Sequence, residues 1–479
     1  MKKINIISQI REEKYTEFLK NNAYCKNTII TTPLGKKVKV LLCDTTASSF
    51  PLKIVEKYLE ENIYEYYTNT HSNNMLGRYM SKLITQSKQE ILEYVGANPE
   101  CDKIFFDGFG TSGCVNHLVH LIKPILSNSI IFVSVYEHYS NYLPWKHYGT
   151  KLVVMDNDFM GLVDINKFTQ SIDQYSKEYS NIYVSITASS NVVGMILLEN
   201  IYTIASITHK YGGKIFVDFA TGAPYLPINM HKDDKTQTYF DAIYFSPHKF
   251  PGAQATPGIG IVREDIICNQ ITWTPSGGTV RFCSKNNNPV YTNDVETKES
   301  GGTPNIIGII KCCLAIQINK HFYLQIISHE LKMTMIFDKY LRKISKLNSN
   351  LKILNSQENL YRLPIFAIQI IPYHYNFIVA LLCDLFGIMT RGGISCSSVL
   401  AEYLLGLSKE KIDEIEANIL NNNGVPNDYG WIRISLNCLH DKKDLLYIIS
   451  AIDYLCKNAH KYESKYIYDK NSNIFTLKL

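Results

Sequence analysis

Lys249 follows Ser246, Pro247 and His248 at the end of an apolar run, "DAIYFSPHK", and precedes the glycine-containing stretch "FPGAQATPGIGIV". A lysine there is either a solvated strand end, with its ammonium in water, or a nucleophile able to form a Schiff base. Thirty-one residues earlier, Asp218 closes the run "KIFVD". A carboxylate at that point either caps a helix or pairs with a protonated ring nitrogen. A third stretch, "DGFGTSGCVNHLVHLIK", runs from a strand ending at Asp107 through Gly108, Gly110 and Gly113 into a helix. Thr111 and Ser112 stand at its N-terminus, where free N–H groups, hydroxyls and the helix dipole favour an anion. No GK[ST] follows, so this is not a Walker loop, and it makes no dinucleotide fingerprint. A Schiff-base lysine, a carboxylate for a pyridinium nitrogen and a phosphate cradle are the three parts of a pyridoxal 5'-phosphate site.

Positioning such residues needs a sheet whose strands end together. Seven short apolar runs occur between about residues 100 and 265: "KIFFDGFG", "SIIFVSVYEH", "KLVVMDND", "NIYVSITASS", "KIFVDFA", "DAIYFSPHK" and "GIGIVR". Their Ile, Val, Phe and Tyr content predicts strands buried on both faces. Helical patterns alternate with them. In "ENIYTIASITHKYGG", Ile201, Ile204, Ala205 and Thr208 share one face and Gly212-Gly213 supply the stop. Val115, Leu118, Val119 and Ile122 make the buried face of the helix after the glycine turn. The alternation predicts an α/β fold built on a mostly parallel seven-stranded sheet, with ligands at the carboxyl ends of the strands. Beyond residue 305, two long helical patterns, the strand-like "LPIFAIQII" and "GWIRISLN" and a last helix predict a smaller C-terminal α/β domain. The expected division is an N-terminal arm and helix packing on the small domain (1–60), a large cofactor-binding domain (61–320) and a small domain (321–479). "NSQENL", "NNNGVPNDYG" and "HKDDKTQTY" are expected to be surface loops.

The composition narrows the class. Hydrophobic residues are 46% and charged ones 19%, which is globular rather than disordered. The net charge of +5 is weak and forms no basic track, so no nucleic-acid partner is expected. Twelve cysteines lack CxxC pairs and metal-like Cys/His spacing, which points to free thiols in a reducing compartment and no metal. Arg11, Glu12, Glu13 and Lys14 interrupt any apolar leader, and "NFIVALLCDLFGIM" holds Asp384 and is too short to span a bilayer. The expectation is a soluble cytoplasmic protein with no membrane partner.

Over roughly residues 40 to 440 the sequence resembles the class V aminotransferase branch of fold-type I pyridoxal-phosphate enzymes, which holds cysteine desulfurases and selenocysteine lyases. "SPHK" resembles S-x-H-K, implying Lys249 as cofactor anchor with Ser246 and His248 near the phosphate. "VDFA" resembles V-D-x-A, implying Asp218 on the pyridine nitrogen. "GFGTSGCVN" resembles G-x-G-x-T-x-x-x-N, implying Thr111 and Ser112 at the phosphate. "YEHYSNYLPW" resembles E-H-H-x-N-x-x-P-W, implying that His138 stacks on the ring. "SSNVVG" resembles S-N-V-x-G, implying Asn191 on the ring hydroxyl. "ESGGTPN" resembles the G-T-P segment, implying that Thr303 reaches the phosphate of a second subunit in a homodimer.

Two further matches concern substrate. "GWIRIS" resembles R-x-S and implies that Arg433 clamps an α-carboxylate, a role that suits a planar fork. "TRGGISCSS" resembles R-x-G-x-x-C and implies Arg391 beside Cys396, the sulfur-accepting nucleophile. The family's desulfurases usually carry Gln three residues after the Asp, where this chain has Thr221. The chain also lacks the Pro that often follows the cysteine, and "HKDDKTQTY" lengthens the interval between Asp218 and Lys249. The resemblance therefore implies a pyridoxal-phosphate enzyme acting on a small amino acid. The leading expectation is desulfuration of L-cysteine to L-alanine with a persulfide on Cys396, passed to a sulfur-acceptor protein. Transamination, epimerisation and a catalytically poor sulfur-relay scaffold are the alternatives.

Overall fold

The structure, a computed structural model, describes residues 3–354, 361–421 and 424–478. "NSQENL" (355–360) lies outside the described residues, as do two asparagines of "NNNGVPNDYG". The described residues group into two units. One is drawn from Met1–Glu12, Ser49–Ser189 and Leu197–Tyr323, the other from Glu13–Ser48, Ser190–Ile196 and Leu324–Leu479.

The first unit is built on a seven-stranded sheet. Its strands are β1 (Asp102–Asp107), β2 (Ser129–Val133), β3 (Lys151–Val154), β4 (Asn181–Thr187), β5 (Lys214–Asp218), β6 (Ala242–Phe245) and β7 (Gly258–Arg263). Their spatial order is β1-β7-β6-β5-β4-β2-β3. Only β7 runs against its neighbours, antiparallel to β1 and to β6. Two reversals leave β1 parallel to β6, so Asp107, Thr187, Asp218 and Phe245 all finish at one sheet edge. The register puts Asp218 opposite Thr187 on one side and Tyr244 on the other. β2, β5 and β6 are buried almost throughout, as their apolar runs predict, whereas the edge strand β3 is half exposed. Between sheet and helix, Phe105, Ile131, Trp145, Phe216 and Tyr244 pack with Val115, Leu118, Val119 and Ile122. "HKDDKTQTY" is a hairpin rather than a loop: His231–Asp233 pairs antiparallel with Thr238–Tyr239.

The second unit has a four-stranded antiparallel sheet of β8 (Leu351–Ile353), β9 (Ile365–Ile370), β10 (Arg391–Gly393) and β11 (Trp431–Ser435), in the order β8-β9-β11-β10. Phe337, Phe366, Ile378, Leu382, Ile432, Ile448 and Ile452 form its core. The two helical patterns after residue 305 join in one helix, Ile306–Leu347, because no Pro or Gly interrupts them beyond Gly308. A C-terminal hairpin, Tyr466–Asp469 with Ile474–Leu477, follows the last helix.

The division differs from expectation at the N-terminus. The arm expected over 1–60 is shared out, since Ile6 N–H donates to Gln317 and Glu56 pairs with Lys311 in the first unit. Residues 13–48 belong to the second, where Cys43 N–H donates to the Met389 carbonyl. Residues 190–196 join the second unit through a bond from Leu363 N–H to the Gly194 carbonyl.

Candidate functional site

The cradle in the first unit grows from the turn between β1 and the helix Thr111–Ile122. Gly110 has φ 61° and ψ −149°, a conformation essentially confined to glycine. A Cβ there would stand 3.0 Å from Ser246 Oγ and 3.9 Å from His248 Nε2, so the missing side chain is what leaves the cradle open. Thr111 N–H donates to Ser246 Oγ at 2.9 Å, and the two hydroxyls lie 2.7 Å apart. Ser112 Oγ is 2.5 Å from Ser140 Oγ, which is 3.0 Å from His138 Nδ1. His138 caps the helix Tyr139–Tyr148 by accepting the Ser140 N–H on Nδ1, which places any ring proton of the neutral imidazole on Nε2. Thr111, Ser112, His138, Ser246 and His248 are thus brought together, and Ser140 is the link that the sequence reading missed.

Lys249 lies just past β6, in the single 3-10 turn Pro247–Lys249 rather than on the strand end itself. Its Nζ donates to Thr221 Oγ1 at 3.4 Å, so the residue that departs from the family pattern still meets the lysine. Burial, and then the charge of Lys249, depress His248 to about 4, which keeps it a neutral donor or acceptor. Asp218 is 3% exposed. Burial raises its carboxyl to about 6 against the bond from Ala220 N–H to Oδ1 at 2.7 Å and the charge of Lys249. A buried carboxylate with one backbone donor gains most from a cationic N–H, the group a pyridinium offers. The donor set and the glycine cradle fit pyridoxal phosphate.

Beneath these residues lies a buried polar network. Glu137 accepts from Ser134 Oγ at 2.5 Å, Asn141 Nδ2 at 2.6 Å and Thr187 N–H at 2.9 Å. Asn141 Oδ1 accepts from Ser185 Oγ at 2.7 Å and from Tyr244 OH. Glu137 and Asn141 stand four apart in "YEHYSNYLPW", and that spacing was the available signal. Thr303 is exposed, with its Oγ1 accepting from Asn69 Nδ2 at 3.4 Å.

The remaining candidates belong to the second unit. Arg433, on β11, is 1% exposed and sits directly opposite Arg391 of β10. Its Nη1 donates to the Asn191 carbonyl at 3.2 Å and its Nη2 to Asp44, while Nε has no partner among the described residues. Asp44 is a neighbour of Arg433 that the sequence reading did not identify; a lone carboxylate after "KVLLC" carries no local signal. Arg391 Nη2 lies 3.8 Å from Cys396 Sγ. Ser395 and Cys396 both take left-handed backbone, φ 54° and 58°, which is costly for side chains other than glycine. Three bonds hold that turn: Asn191 Nδ2 to the Ser395 carbonyl at 3.1 Å, Ser397 Oγ to Asn191 Oδ1 at 3.3 Å, and Trp431 Nε1 to Ser395 Oγ at 3.2 Å. The Asn191 amide, expected to serve a ring hydroxyl, also braces the cysteine turn. All twelve cysteines are free thiols.

The chain is similar to known proteins. A Borreliella burgdorferi protein named probable cysteine desulfurase is 26% identical over 406 residues, spanning 82% of this chain and 90% of its own. A Plasmodium falciparum cysteine desulfurase is 25% identical over 365 residues, covering 70% of this chain and 63% of its own. The apo cysteine desulfurase of Thermococcus onnurineus has the same fold, with a TM-score of 0.72 over 94% of this chain and 99% of that one at 20% identity. Residues 41–448 match the aminotransferase class-V family, and the chain belongs to that family.

Proposed function

We propose that the chain is a pyridoxal-phosphate-dependent cysteine desulfurase that moves sulfur from L-cysteine onto Cys396. The observation that carries this reading is the Arg391–Cys396 contact of 3.8 Å on a strained turn that is braced at both flanking serines. Strain held in place by surrounding bonds marks a position where the side chain must point one way. The names of the relatives support the same activity.

When bound, pyridoxal phosphate withdraws electrons from the amino-acid α-carbon. Lys249 anchors it and moves the α-proton. Thr111, Ser112, Ser246 and His248 would hold its phosphate, His138 would pack on its ring, Asp218 would keep the ring nitrogen protonated and Asn191 would serve the ring hydroxyl. Arg433 binds the substrate carboxylate in competition with Asp44. Cys396 Sγ attacks the substrate sulfur. An S–S bond forms, the Cβ–S bond breaks with its electron pair left on carbon, and protonation there yields alanine. A thiol acceptor, protein or small molecule, then takes the outer sulfur. The working form is a homodimer in which Thr303 reaches the partner's phosphate, in a reducing compartment such as the cytoplasm.

Purified protein supplied with pyridoxal phosphate, L-cysteine and a reductant is expected to release alanine and sulfide in equal amounts. Cys396→Ser should keep cofactor binding and lose at least about 100-fold in sulfide release, in line with the loss of a covalent nucleophile. Absence of alanine, or full activity in Cys396→Ser, refutes the reading. Solvent deuterium at the α-carbon without sulfide would show epimerisation instead, and keto-acid release would show transamination.

A further inference from the structure

We propose that Cys101, Asp102 and His231 form a binding site for a divalent ion of the zinc type, at the end of β1 opposite the phosphate cradle. Cys101 precedes β1 and Asp102 opens it, so five residues of strand, about 17 Å at the usual rise, separate Asp102 from Asp107. His231 comes from a different place, the first position of the hairpin whose sequence lengthens the interval between Asp218 and Lys249.

One ligand atom from each of the three residues lies within 4.8 Å of the others. His231 Nε2 is 2.8 Å from Asp102 Oδ2, and Cys101 Sγ is 3.9 Å from Asp102 Oδ1. Tetrahedral zinc, with bonds of about 2.0 Å to N and O and 2.3 Å to S, spaces its ligand atoms by about 3.3–3.6 Å. Small rotations of the three side chains meet that spacing, and the fourth position is left for water.

The surroundings hold the three groups in place. His231 Nδ1 lies 2.9 Å from Asp234 Oδ1, the carboxylate–imidazole arrangement that fixes a metal-binding histidine with Nε2 aimed at the ion. Asn98 N–H donates to Asp102 Oδ2 at 2.7 Å, and Asp102 is 1% exposed. Arg263, which would oppose a cation nearby, is engaged by both carboxylate oxygens of Asp265 at 3.1 and 3.0 Å. Without a metal, an imidazolium sits between Asp102 and Asp234 and the Cys101 thiol donates weakly to Asp102 Oδ1; a bound zinc ion would displace those protons and take all three ligand atoms. Imidazole, thiolate and carboxylate together are a zinc set. The ion would tie the hairpin to the start of β1.

The probe is zinc itself, added to chelator-treated holoprotein and equilibrated against a competing chelator of known affinity. One zinc per chain is expected, with one sulfur and otherwise N or O neighbours by X-ray absorption. Cys101→Ser and His231→Gln should each weaken binding at least tenfold, and Asp234→Asn by about 10–100-fold, the usual effect of losing the group that orients a ligand. Cys396→Ser should retain the zinc, which separates this site from the candidate nucleophile. Far-UV circular dichroism of each variant checks that it is folded. No zinc uptake at micromolar free metal, a neighbour shell without sulfur, or folded Cys101→Ser and His231→Gln variants that bind as the parent does would each overturn the proposal and leave an imidazolium between two carboxylates.

Discussion

Glu137 is a carboxyl group with almost no water, 1% exposed, and its neighbours decide what it does. Burial raises it from 4.5 to about 8 against the bonds from Ser134, Asn141 and Thr187. The folded chain therefore holds a proton that the unfolded chain releases between those values, so this group makes stability fall as pH rises from 4.5 to about 8. Glu137→Gln should remove that slope. It should also cost about 1–3 kcal/mol, because an amide nitrogen would face Asn141 Nδ2, donor against donor. Denaturant melts of both proteins across that range test this, and parallel slopes would refute it. Arg433 offers a second prediction at this scale. Its Nη2 is taken by the partly exposed Asp44, an internal rival for a carboxylate ligand. Asp44→Asn should lower KM for the amino acid with kcat less affected, while Arg433→Lys, which loses the bidentate fork, should raise KM at least about tenfold. Steady-state kinetics of the two variants separate the effects.

Among the elements, the turn between β1 and the helix Thr111–Ile122 is constrained at one glycine. Gly110→Ala would bring a Cβ to within 3.0 Å of Ser246 Oγ and force a non-glycine residue into a glycine-only conformation. A stability loss of about 1–3 kcal/mol and weaker cofactor binding are expected. At Gly108 an added methyl would meet nothing within 4 Å, so Gly108→Ala should cost no more than about 0.5 kcal/mol. Equal effects of the two, measured by denaturant unfolding and cofactor titration, would show that the backbone at Gly110 is not what shapes the cradle. The strained turn at Ser395 and Cys396 works differently. It keeps its side chains and is held by Asn191, Ser397 and Trp431.

For the whole molecule, two features bear on behaviour in solution. No helix among the described residues is long and apolar enough to cross a membrane. The C-terminal hairpin packs on the second unit's core, with Tyr466 OH donating to buried Asp384 at 2.7 Å and Phe475 5.3 Å from Phe377. Deleting residues 466–479 would leave Asp384 without that donor and uncover Phe377. A lower thermal midpoint is expected by calorimetry, and an unchanged one would show that the hairpin contributes nothing to the fold. The proposed homodimer predicts a light-scattering mass of two chains, and a stable monomer would refute Thr303's part in it.

Much of the first unit was legible in the sequence because its signals are local. Apolar runs of strand length, glycines before a helix and residues at strand ends are properties of neighbouring positions, and Asp107, Asp218 and Ser246 fall where those patterns put them. The single helix Ile306–Leu347 was legible only as two pieces, since its first part is buried almost all round and its second part on one side only. Other features needed the folded chain. Asp44 meets Arg433 across 389 positions, Asn191 braces a turn about 200 residues away, and Cys101 and Asp102 meet His231 through a hairpin about 130 residues on. Such encounters depend on strand register and on where the chain crosses back, neither of which leaves a trace in local spacing. The sequence by itself determined which side chains can do chemistry; tertiary structure decided which of them are neighbours, because side chains interact over a few ångströms of space and not along the chain.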